Sequence, residues 1–308
     1  MKVLNGYSKI RQNTVLTIGN FDGIHKGHQK IIKQVVELSK KNNLKSAVIT
    51  FRPHPNDFLK KNSKPFKLLS DTTKIEEIKK LGVDYLIFMK FDKKLNKLSP
   101  DDFIKKLIIF KPKFIVVGYN FRFGYMRKGN IDFLKELATK YLYTLQVIKP
   151  VIGRNKRVFN STFIRKKLES GKYDIVKEML GRNWLLEGKI IKGSGRGIKL
   201  GYRTANFVLN DYIVPMKGVY ITKSYFGTNK KKKYFGLANI GNRPTFNEKK
   251  VFFENHFFNL KNILYGKKIF VELLGFLRKE KKFANIKALK KQIEKDIFLA
   301  KKILNKNK

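Results

Sequence analysis

The feature that most constrains this chain is a change of hydrophobic period near residue 183. Before it, short apolar runs alternate with stretches of helical spacing. After it, from Trp184 to Leu277, short β-patterned runs follow one another between Gly, Pro and Asn breaks. Strands joined through helices build a mostly parallel sheet covered on both faces, so the first part is expected to be an α/β domain. Six strands in succession without helices predict a small β-barrel, closed or nearly so. The six runs lie near Leu186–Lys192, Asn206–Leu209, Gly218–Tyr225, Tyr234–Ile240, Val251–Phe258 and Lys268–Leu277. From Ala284 to Leu304 the period is helical again, with Ile286, Leu289, Ile293, Ile297 and Ala300 apolar, which predicts a terminal helix lying against the barrel. The expected domains are 1–182 and 183–308.

Within the first domain, Val15–Ile18, Ser46–Phe51, Asp84–Met89, Phe114–Val117 and Leu145–Ile148 read as strands. Thr72–Leu81, Pro100–Phe110, Ile131–Lys140, Asn160–Ser170 and Tyr173–Leu180 read as helices, with Ser99 and Pro100 as N-cap and first-turn residues. Ligands gather beyond the carboxyl ends of parallel strands. Three loops follow strands here, Gly19–His28, Arg52–Pro55 and Gly118–Gly129, and are expected to share one rim. The first opens a helix whose apolar positions are Ile31, Ile32, Val35, Val36 and Leu38. His25 and His28 stand three apart where that helix begins, hence on one face. Free N–H groups and the positive dipole end suit a phosphate there. Such a pair can equally be plain polar surface, but the chain has only 4 histidines and two of them fall in this loop. The loop lacks the Gly-Lys-Ser/Thr ending of a P-loop and the GxGxxG spacing of a dinucleotide site.

An apolar fraction of 42% is ample for real cores, and the absence of cysteine excludes disulfides and thiolate metal sites. No apolar run reaches the roughly 18 residues of a membrane span, and the first residues lack the apolar stretch of a signal peptide. The expectation is a cytoplasmic protein without a membrane partner. The net charge of +46 invites a nucleic-acid reading. Against it, only 12 of the 69 basic residues are arginine, and the lysines are scattered rather than gathered with aromatics on one element. No nucleic-acid partner is therefore assigned; the positive field should instead speed encounter with polyanions such as ATP.

Four strings in the first domain occur in the order GNFDGIHKGH (19–28), TFRPHP (50–55), VGYNFRFG (117–124) and STFIR (161–165). Together they resemble the adenylyltransferase module of bacterial FAD synthetases, in the HxGH nucleotidyltransferase superfamily. The second domain carries GSGRGIKLGYRTANF (193–207), GVY (218–220), LANIGNRPTF (237–246), ENH (254–256), LYG (264–266) and LRKEKKF (277–283). These resemble the riboflavin kinase module usually fused to it. The resemblance implies a Rossmann-like nucleotidyltransferase sheet followed by a six-stranded kinase barrel. It also implies two ATP-dependent steps, riboflavin to FMN and FMN to FAD with loss of pyrophosphate, with Mg2+ accompanying ATP.

In adenylyl transfer a phosphate oxygen of FMN attacks the α-phosphorus of ATP. The protein must align the groups and neutralise growing charge. The resemblance gives that task to His25 and His28. It places ATP against Gly19, Phe21, His25, His28, Ser161, Thr162 and Arg165, and flavin against His54, Pro55 and Asn120. Arg165 taken alone also reads as a solvated helix residue, and His54 with the other two histidines as a zinc set. Pro-flanked His54 is better explained as a loop wall. In the kinase step the ribityl hydroxyl must lose a proton, and the resemblance makes Glu254 the general base; the strand pattern VFFENHFF alone allows a solvent-facing carboxylate. Gly193, Gly195 and Lys199 are expected to hold ATP phosphates, and Thr204 and Asn206 ATP and Mg2+. The chain departs from the usual pattern at Arg203, where a proline precedes the Thr-Ala-Asn string, and at Asn160, Phe163, Asn183 and Asn259. Without that proline the turn positioning Thr204 is expected to be looser. A different HxGH nucleotidyltransferase with an appended barrel, or an RNA-binding protein, are the competing readings.

Overall fold

A computed structural model describes residues 1–59, 64–153, 156–193, 201–227, 232–242, 251–260 and 265–306. The chain packs as two units, Met1–Lys64 with Asp71–Asn160, and Pro65–Ser70 with Ser161–Lys308.

The first unit holds strands β1 (Lys2–Asn5), β2 (Thr14–Ile18), β3 (Lys45–Arg52), β4 (Tyr85–Lys90), β5 (Pro112–Gly118) and β6 (Thr144–Ile148) in the order β1-β4-β3-β2-β5-β6. Every pairing is parallel. Helix α1 (Lys26–Lys41) follows β2, α2 (Pro55–Leu59) follows β3, and α3 (Asp71–Lys80) precedes β4. Next come α4 (Lys93–Asn96), α5 (Pro100–Leu107) and α6 (Ile131–Tyr141). Ser99 caps α5, its Oγ accepting the Asp102 N–H at 3.1 Å, and the helix tightens to a 3-10 turn over Ile108–Phe110. Alternate residues of the strands face opposite layers, as the pleat requires. Leu16, Ile18, Ile49 and Ile87 pack with Phe103, Ile104 and Phe110 on one side, and Val15 and Val116 with Val35 and Ile31 on the other. From β2 the chain runs outward through β3 and β4, then returns to place β5 on the other flank of β2. The carboxyl ends of β2 and β5 therefore form the switch point where such sheets bind ligands.

The second unit begins with α7 (Ser161–Glu169) and α8 (Tyr173–Leu180). Its strands are β7 (Trp184–Lys189), β8 (Thr204–Val208), β9 (Gly218–Phe226), β10 (Tyr234–Asn242), β11 (Val251–Phe257) and β12 (Lys268–Lys279). They form one antiparallel sheet in the order β7-β12-β9-β10-β11-β8. The sheet curls until its ends meet, where the Ile191 N–H donates to the Asn206 carbonyl at 2.8 Å. Helix α9 (Ile286–Lys306) covers one face, seating Ala300, Ile297 and Leu304 against Val219, Ile221 and Leu237. Arg278 of β12 fixes that helix through a two-pronged ion pair to buried Asp296, with Nη2 to Oδ2 at 2.6 Å and Nε to both carboxylate oxygens at 2.9 Å. The short segment 65–70 is woven into this unit: the Trp184 indole N–H donates to the Leu68 carbonyl (2.8 Å) and Ser70 Oγ to Glu187 (2.6 Å).

Candidate active sites

The loop between β2 and α1 folds back on itself. Phe21 and Ile24 take left-handed φ values of 45° and 40°, and both side chains are buried. His25 is the N-cap of α1, and its Nδ1 accepts the His28 N–H at 3.3 Å. The two imidazoles stack with centroids 3.7 Å apart, and the Phe21 ring meets His28 edge-on at 5.3 Å. Gly27 makes the stack possible, since a Cβ there would stand 3.0 and 3.1 Å from His25 ring atoms. A Cβ at Gly19 would stand 3.2 Å from the Phe21 ring. With Nδ1 accepting, a neutral His25 carries its proton on Nε2 and presents a donor. The His28 Nδ1 is buried and has no hydrogen-bond partner. Burial first, then His25 and Lys74, holds His28 well below the usual histidine pKa, so its ring is neutral at pH 7. A helix N-terminus with two stacked imidazoles suits a phosphate ester.

The other expected residues of the first site fall in several places. His54, half-buried after β3, turns its Nδ1 to the Asn56 N–H (3.1 Å) at the start of α2, whose first residue is Pro55. Asn120 is exposed in the turn after β5, where the Phe121 N–H donates to the Gly118 carbonyl. Ser161 and Thr162 open α7 and, with Arg165, belong to the second unit. The Arg165 Nε donates to the Phe66 carbonyl at 2.7 Å and its guanidinium lies over the Phe66 ring.

In the second unit Glu254 of β11 stands in register between Asn239 of β10 and Asn206 of β8. Directly opposed residues share a face. Asn206 is 2% exposed; its Nδ2 donates to the Thr204 carbonyl and hydroxyl at 3.2 and 3.3 Å, while its Oδ1 is buried without a partner. Gly193 lies so close to this amide that a Cβ would overlap the amide nitrogen. Thr204 begins β8, paired with His256; most of the turn before it lies outside the described residues. Strand β8 consequently starts two residues before its expected Asn206. His256 Nδ1 sits 3.1 Å from the Arg203 carbonyl, and burial lowers its pKa. Gly195 and Lys199 lie outside the described residues.

A family model described as FAD synthetase matches residues 7–163, and one described as riboflavin kinase matches 180–304. A bifunctional riboflavin kinase/FMN adenylyltransferase of Buchnera aphidicola is 38% identical over 99% of both chains. Its Escherichia coli counterpart is 31% identical over 100% of this chain and 99% of its own. The chain belongs to this family. Its fold is also similar to the crystal structure of a Streptococcus pneumoniae chain named a macrolide-efflux protein, with a TM-score of 0.86 and 26% identity over 97% of this chain and 98% of that one. Among the described residues no helix is long and apolar enough to cross a membrane.

For a bifunctional kinase and adenylyltransferase, three residues given no role above stand close to the expected site residues. Asn239 donates to Glu280 at 3.3 Å beside Glu254. Lys74 of α3 is buried, with its Nζ 2.9 Å from the Asn20 carbonyl in the histidine loop. The legible signal for Lys74 was its place four residues before Ile78, on the apolar face of its helix. Among the described residues no three His, Asp or Glu side chains gather as a cation-ligand set.

Proposed function

We propose that residues 1–182 carry adenylyl transfer and residues 183–308 riboflavin phosphorylation, each through the residues that the motifs single out. One ATP phosphorylates riboflavin to FMN; a second adenylylates FMN to FAD and releases pyrophosphate. In the first step Glu254 takes the proton of the ribityl hydroxyl as its oxygen attacks the γ-phosphorus. Gly193, with Gly195 and Lys199, holds the phosphates. The buried, unpartnered Asn206 Oδ1 and the Thr204 hydroxyl fit Mg2+, a hard cation that takes neutral oxygens and keeps several waters. Bound there, the ion would offset phosphate charge.

In the second step no covalent nucleophile is required. His25 and His28, with Gly19 and Phe21 shaping their loop, hydrogen-bond the phosphoryl oxygens of ATP as the FMN phosphate attacks the α-phosphorus. His54, Pro55 and Asn120 are assigned to the flavin side. Ser161, Thr162 and Arg165 are assigned to ATP on the family motif. The ATP that both steps consume assigns the protein to the cytoplasm.

The observation that carries this reading is the stacked His25–His28 pair at a helix N-terminus in a chain that also sets Glu254 beside Asn206. The test is purified protein with Mg–ATP and either riboflavin or FMN, the products separated by chromatography. Riboflavin should yield FMN and then FAD, and FMN should yield FAD. Formation of neither product overturns the proposal.

A further inference from the structure

Among the described residues Lys74 is the one buried lysine, 5% exposed. An ammonium in such a place costs several kcal/mol unless its hydrogens are satisfied, and an apolar residue would pack as well four residues before Ile78. What the lysine does instead is tie three elements at one carbonyl. From α3 its Nζ donates to the Asn20 carbonyl at 2.9 Å and approaches the Thr50 hydroxyl of β3 at 3.4 Å. Thr50 Oγ1 donates to the same Asn20 carbonyl at 3.1 Å. Asn20 directly precedes Phe21, whose ring abuts His28, and His28 stacks on His25. A shift of the Asn20 carbonyl thus displaces the loop that presents both imidazoles.

We propose that Lys74 is a positioning residue for adenylyl transfer, anchoring the histidine loop and setting a positive charge close to the His28 ring. The proposal rests on the assignment of that reaction to this site. The electrostatics agree with the geometry. The titratable groups acting on His28 are His25 from its own loop and Lys74 from α3, and both add to burial in lowering its pKa. Asp22, buried in the same loop, is the acidic residue of the motif. Division of labour follows: the lysine holds the loop through the Asn20 carbonyl, and the imidazoles supply oriented N–H donors.

Lys74→Met, Lys74→Arg and Thr50→Val in the full chain test this. FAD formation from FMN and Mg–ATP is followed across about pH 5.5–8.5, around the histidine range, with the His28 ring titrated by NMR. Lys74→Met should lower kcat by roughly ten- to a hundredfold, as for a displaced reacting group, with KM changed less. Losing the cation should move the His28 midpoint upward and the acid limb of kcat with it. Lys74→Arg should keep the low midpoint and recover most of kcat. Riboflavin phosphorylation should stay at its wild-type rate in all three, which reports on folding. Should Lys74→Met fail to fold, Thr50→Val removes one arm and keeps the charge: kcat should fall severalfold with the His28 midpoint unmoved. An unchanged kcat in Thr50→Val and Lys74→Met, or a His28 midpoint indifferent to Lys74→Met, overturns the proposal. A wild-type chain that forms no FAD overturns instead the assignment of the reaction.

Discussion

The two sites are assembled by opposite means. His25 and His28 are three residues apart, and one helical turn with Gly27 between them brings their rings into contact. Thr204, Asn206, Asn239 and Glu254 come from three strands and meet only because β8, β11 and β10 pair in a particular register. A local constellation depends on its loop and its cap. A register-built one depends on the whole ladder, since a slip of one residue turns every side chain to the other face. The first site should therefore respond to changes at single backbone positions, and the second to changes in charge or in the packing that holds the sheet.

The sharpest way to break the comparison is Glu254→Gln, which keeps the shape of the strand and removes the proposed base. Riboflavin phosphorylation should drop by about 10³-fold, the middle of the range for general-base loss, while FAD still forms from supplied FMN. Joint loss of both activities would contradict separate sites. Next comes Gly27→Ala. Its methyl group would meet the His25 ring at 3.0–3.1 Å, so FAD formation should fall about tenfold through displacement of that ring, with the kinase rate unaffected. The smallest effect on activity is expected from Asp296→Asn. It leaves the Arg278 guanidinium without its carboxylate on the face beneath α9. Denaturant unfolding of the second unit should lose about 2–3 kcal/mol, short of the full cost of a broken buried pair because Arg278 is partly exposed. Both activities at 25 °C should change less than twofold.

How much of this was legible in the sequence follows the same division. The central strands of the first unit, buried on both faces, were plain as apolar runs, and the histidine loop was plain as a contiguous string. Strand β1 was not, because Lys2–Asn5 is a short, largely exposed edge segment whose pairing with β4 comes from tertiary position rather than pattern. Lys74 could be placed on the apolar face of its helix, but the pattern did not say what it meets there. Its burial depends on the Asn20 carbonyl, 54 positions away. Thr204 was expected to precede the strand that begins near Asn206. Pairing with His256 of β11 draws it into a strand instead, a tertiary override of local chemistry. Glu254 and Asn206 could be named from motifs, but the apposition of their side chains needed the register.

The segment 65–70 has a consequence for how such a protein can be divided. It precedes α3 in the chain, yet its carbonyls accept the Trp184 indole and the Arg165 guanidinium, and Ser70 holds Glu187. The order of residues along the polypeptide and the order of packing are thus interleaved. No single cut yields two complete halves: a fragment beginning at residue 183 would leave behind both helices α7 and α8 and the strap that closes over Trp184. The second unit therefore draws part of its interior, Leu68 and Leu69, from a stretch that lies within the first unit's span of the chain.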